Sequence, residues 1–93
     1  MKQTIQERFV GYHATHPEVY AAIVRFARDV RAKGHRRFGI RVIWERARWF
    51  LSIERTEGEY KLNDHYTSRY ARLVMEQEPD LRDFFEVRNL RQE

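Results

Sequence analysis

Between Pro17 and Gly34 the apolar residues return every three to four positions: Val19, Ala22, Ile23, Phe26 and Val30. That spacing puts them on one face of an α-helix, because 3.6 residues make a turn. Pro17 suits the first helical turn, where its missing N–H costs nothing, and Thr15 with Glu18 has the spacing of a capping box. Lys33 and Gly34 are stop signals. One amphipathic helix of this length cannot bury its own stripe, so the rest of the chain must supply helices that cover it.

The remaining segments read in the same way. Thr4 and Glu7 also have capping-box spacing, and Ile5, Phe9 and Tyr12 follow at helical intervals, predicting a short first helix that ends at Gly11 or soon after. "GHRRFG" reads as a loop. From about Ile40 to Arg55 a third helix carries Ile40, Ile43, Trp44, Ala47 and Leu51 on one side, and Val42, Trp49 and Ile53 nearly opposite. Two stripes mean either a central helix packed on both sides or a face left for a partner. The small size of the chain favours the central helix.

"TEGEYKLND" connects to a fourth helix capped by Asn63 or Asp64, with Tyr66, Tyr70, Leu73 and Val74 inward, and Pro79 as its limit. Ser68 and Arg72 point away from that face, with His65 and Arg69 on a flank. The closing "DLRDFFEVRNL" fits a short helix, or else a strand paired with "EYKLN"; the helix is the preferred reading. The expectation is a single all-α domain over residues 1–93, of four to five short helices. Its core would hold Val19, Ile23, Phe26, Ile43, Trp44, Ala47, Leu51, Tyr70, Leu73 and Phe84. A helix-turn-helix-like arrangement and a short strand over 59–63 are both compatible with the spacing. Against the former, the connector exceeds the three to four residues of that motif's turn.

Composition excludes several classes. There is no cysteine, so disulfides, thiolate metal sites and cysteine nucleophiles are out. His13, His16, His35 and His65 form no helical His-x3-His pair, and the His-x2-His of "HATH" falls at a helix start beside Pro17; with no Walker string, serine elbow or zincin motif either, neither metal, cofactor nor enzymatic activity is expected. No apolar run could cross a membrane or serve as a secretory signal, and a cytoplasmic location is the expectation.

The charge is unevenly placed. Residues 25–55 hold ten cations against Asp29, Glu45 and Glu54, a net of +7 in a chain of net +4. Arginine, whose planar fork matches phosphate, supplies fifteen of the eighteen basic residues. Arg31 and Lys33 suit a helix C-terminus, but Arg41 opens the next helix and Arg36 and Arg37 approach the same end, where the macrodipole disfavours cations. An anion is expected there, either an acidic side chain of the final third or a phosphate. The site expectation is therefore nucleic acid, DNA first, with Arg28, Arg31, Arg36, Arg37 and Arg41 on phosphates and Ser68, Arg69 and Arg72 nearer the bases. The alternative is a protein-interaction module, self-associating or engaging a host protein through Val42, Arg46, Trp49 and Ile53.

"GYHATHPEVY", "GHRRFGIRVIWERARW", "YKLNDHYTSRYARL" and "EPDLRDFFEVRNLR" together resemble a group of small proteins encoded by bacterial phages and prophages, over about Phe9 to Arg91. The resemblance brings no catalytic or binding residues with it. It implies a small cytoplasmic accessory protein of a mobile element, a class that handles nucleic acid or redirects a host protein.

Overall fold

The computed structural model describes residues 3–54 and 62–86. In chain order these form α1 (Ile5–Thr15), α2 (Pro17–Ala32), β1 (Phe38–Gly39), α3 (Ile40–Trp49), a π-helical turn (Phe50–Glu54), a 3₁₀ turn (Asp64–Tyr66), α4 (Thr67–Gln77), a second 3₁₀ turn (Pro79–Leu81) and β2 (Phe85–Glu86). The fold is mostly α, as expected, with one two-residue strand pair added.

α1 begins at a reciprocal capping box. The Glu7 amide donates to Thr4 Oγ1 at 3.1 Å and the Thr4 amide to Glu7 Oε1 at 3.2 Å. The helix runs past Gly11 to Thr15, further than the glycine suggests. It stops there because His16 precedes Pro17 and leaves helical geometry, with φ −130° and ψ 62°. Thr15 does not cap α2, contrary to its spacing. Its hydroxyl donates back to the Gly11 and Tyr12 carbonyls at 3.0 and 3.1 Å, so His16 becomes the N-cap without a side-chain hydrogen bond. α2 ends as its sequence indicates: Gly34 has φ +104°, a left-handed conformation in which a Cβ would be strained.

The closing segment departs from expectation. Phe85–Glu86 is a strand rather than a helix, and it pairs in parallel with Phe38–Gly39, inside the stretch read as a loop. The Phe38 amide donates to the Phe84 carbonyl at 2.8 Å. Phe84 and Phe85, adjacent in sequence, are both buried. Phe84 precedes the strand, and the two rings turn toward one another, edge to face with centres 5.2 Å apart, so both enter the same core. The short strand over 59–63 that the spacing allows falls mostly outside the described residues; Leu62 and Asn63 are not in a strand.

The core gathers one face of each helix around Trp44, Tyr70, Ile23, Ile43 and Val74, all essentially inaccessible to solvent. Nine of the ten expected core residues are buried; Leu73 is half-buried at the edge of the core. Phe9, Ala71, Leu81 and Phe85 join them. One reading of α3 is corrected. It is not packed on both sides: Val42, Trp49 and Ile53 are 58%, 57% and 50% exposed. α2 and α4 both pack against its Ile43–Trp44–Ala47 side, and among the described residues no further layer covers the other. Among these residues, no helix is long and apolar enough to cross a membrane.

Candidate nucleic-acid interface

The basic residues converge where α2 ends and α3 begins. α2 carries Arg28 and Arg31 on one side of its last turns. Gly34 reverses the chain, and residues 35–37 lead His35, Arg36 and Arg37 into β1. The β1–β2 pairing anchors this loop, so Arg41, in the first turn of α3, follows close behind. A groove of about 560 Å³ opens between Arg31, His35 and Arg36 on one wall and Pro79, Asp80, Arg82, Asp83 and Phe84 on the other.

The acidic final third neutralises only part of this charge. Arg28 donates through Nε to Asp80 Oδ2 at 2.9 Å, and through Nη2 to Asp80 Oδ1 at 3.1 Å and Glu78 Oε1 at 2.8 Å. Glu78 also accepts the Tyr20 hydroxyl at 2.7 Å. The Arg28 hydrogen bonds hold the Asp80 carboxyl below the usual carboxylate range. Arg28 therefore ties α2 to the turn before β2. Arg31, Arg36, Arg37, Arg41 and Arg82 are exposed and form no ion pair or side-chain hydrogen bond among the described residues. α3 has neither a side-chain cap nor an acidic residue in its first turn, so the positive end of its dipole adds to the same field.

Ser68, Arg69 and Arg72 lie elsewhere. All three are half-buried. Arg69 Nε donates to Gln6 Oε1 at 3.0 Å, and Arg69 and Arg72 line a smaller groove of about 200 Å³ with Gln6, Phe9, Leu73 and Glu76. Part of the connector that would define a helix-turn-helix lies outside the described residues.

Asp64 has a role that the sequence did not signal. Asn63 caps the 3₁₀ turn, its Oδ1 accepting the His65 amide at 2.9 Å. Asp64 instead reaches back to α3, where Oδ1 accepts the buried Trp44 indole N–H at 2.8 Å and also the Arg48 guanidinium. The indole hydrogen bond, followed by the Arg48 and Arg41 charges, holds its carboxyl below the usual range. A depressed folded-state pKa means that this link contributes fully above the unfolded value of about 3.9 and is lost as pH falls from there through the folded value. Asp64→Ala is expected to lower stability by about 1–3 kcal/mol at neutral pH, since it leaves a buried N–H without an acceptor. Asp64→Asn, which retains an acceptor, should cost less. Urea titrations at neutral pH and near pH 3 check both: the gap between wild type and Asp64→Asn should narrow in acid.

The alternative interface residues also come together. Val42, Arg46, Trp49 and Ile53 occupy the outer side of α3 and the turn after it. The Arg46 guanidinium lies 4.3 Å from the centre of the Phe26 ring and donates to Glu54 Oε2 at 3.0 Å. Among the described residues, no three His, Cys, Asp or Glu side chains gather as a metal-ligand set. No protein-family model, curated protein or solved structure matches the chain.

Proposed function

We propose that the chain is a small, non-enzymatic accessory protein of the phage or prophage type, and that it binds nucleic acid, DNA first, through the corner formed by Arg31, Arg36, Arg37, Arg41 and Arg82. The observation that carries this reading is that none of the five is in an ion pair or a side-chain hydrogen bond among the described residues, in a molecule that pairs Arg28, Arg46 and Arg48 internally. Exposed like charges repel one another. Their accumulation at the positive end of a helix is relieved by an external anion such as the regularly spaced phosphates of a nucleic-acid backbone.

Contacts of this kind position a protein on a backbone without reading its sequence. Arg28 has no phosphate role in this reading. Ser68, Arg69 and Arg72, half-buried on α4, lie outside this corner in the present reading. The test is fluorescence anisotropy with labelled duplex DNA, single-stranded DNA and RNA across a salt series. With four or more phosphates engaged on duplex DNA, the logarithm of affinity should fall against that of salt with a slope of about −3.6 or steeper. Absence of binding to all three at low salt would refute the reading.

A further inference from the structure

We infer that the outer face of α3 is a self-association surface on which a second copy of this chain packs with its α3 antiparallel. This goes beyond nucleic-acid binding and does not depend on it.

Three large apolar side chains, Val42, Trp49 and Ile53, are half or more exposed along a single face, with Arg46 among them. Trp and Arg are the residue types most often found at the energetic centre of protein interfaces. The order Val42, Arg46, Trp49, Ile53 has intervals of four, three and four residues, the same read in either direction. An antiparallel copy therefore presents a matching ladder. About a two-fold axis level with the midpoint between Ala47 and Arg48, Val42 meets the partner's Ile53, and Arg46 meets the partner's Trp49. The outer pairs are apolar on apolar, and the inner pairs set a guanidinium against an indole, a favourable cation–π arrangement. Two-fold dimers require this kind of self-complementary patch.

Charge favours the same occupant. Arg46 is paired with Glu54 at 3.0 Å and Glu45 with Arg48 at 3.5 Å, so this face is close to neutral, unlike the corner at Arg36 and Arg37. A polyanion gains little here. An identical face, whose charges are already paired within its own chain, brings no unmatched charge into the contact. The contact is small, at the low end of stable interfaces, so a dimer dissociating in the range of roughly 10–100 µM is expected.

Sedimentation equilibrium of the wild-type protein without nucleic acid should show a concentration-dependent monomer–dimer equilibrium. Trp49→Ala should weaken it about 30-fold or more, with an unchanged far-UV circular dichroism spectrum. The orientation is read by disulfide trapping, since the chain has no cysteine of its own. A mixture of Val42→Cys and Ile53→Cys proteins should crosslink as the mixed dimer, whereas Val42→Cys alone should not. A wild-type protein that stays monomeric to about 500 µM, unchanged association in Trp49→Ala, or efficient crosslinking of Val42→Cys to itself would each overturn the inference.

Discussion

Trp44→Ala is expected to cost about 3–5 kcal/mol, the range for removing a large aromatic from a packed core. The side chain is fully buried and packs against Tyr70, with ring centres 5.6 Å apart. Its indole N–H donates to Asp64 at 2.8 Å, so one residue joins α3 both to the core face of α4 and to the turn that starts it. Removing it leaves a cavity that the surrounding rings cannot close, and leaves Asp64 with Arg48 but without its indole donor. Domains of this size have a total stability of roughly 5–14 kcal/mol, so the loss is a substantial part of the whole and the denaturation midpoint should fall sharply. Urea denaturation followed by far-UV circular dichroism provides the measurement. A midpoint close to wild type would mean that α3 is held mainly by its other neighbours. Trp49→Ala, five residues along the same helix, should change monomer stability by no more than about 0.5 kcal/mol.

The second large effect concerns the basic corner. Replacing Arg36 and Arg37 together by Ala should make the salt slope for duplex DNA shallower by about 1.8, because two phosphates are no longer neutralised and each accounts for about 0.9. Phosphate binding strengthens as salt is lowered, so the ratio of wild-type to variant affinity should grow roughly 60-fold between 1 M and 0.1 M salt. The effect should be similar for different sequences, because a backbone-bound arginine does not discriminate between bases. Both side chains are exposed and make no ion pair among the described residues, so folding should be unaffected. Arg28→Ala should behave in the opposite way, perturbing the α2–Glu78–Asp80 link with little change in salt slope. If the double variant keeps the wild-type slope, the phosphates are held elsewhere.

The contrast between Arg28 and Arg36 shows where sequence reading stops. Both are arginines in the same basic run. Arg28 is separated from its partners Glu78 and Asp80 by all of α3 and α4, and no local pattern announces an ion pair between such distant segments. That Arg36 and Arg37 have no acidic partner among the described residues is equally invisible in sequence, since it depends on which distant carboxylates the fold brings within reach.

What the sequence determined by itself is the set of helices and their inward faces. Periodicity, the Thr4–Glu7 capping box, Pro17 and Gly34 act within a few residues of one another, and their physics is complete within a single helix. The buried positions of Val19, Ile23, Phe26, Ile43, Trp44, Ala47 and Tyr70 were legible for that reason. The tertiary structure alone decided three matters. It paired Phe38–Gly39 with Phe85–Glu86, a parallel ladder between segments far apart in the chain. It bonded Asp64 to Trp44 and Arg28 to Asp80. It also left Val42, Trp49 and Ile53 in solvent, although the sequence favoured burying them. Periodicity can show that a helix has two apolar faces, but whether anything packs on the second depends on how many neighbouring layers the chain can supply. Here α2 and α4 pack on the same side of α3.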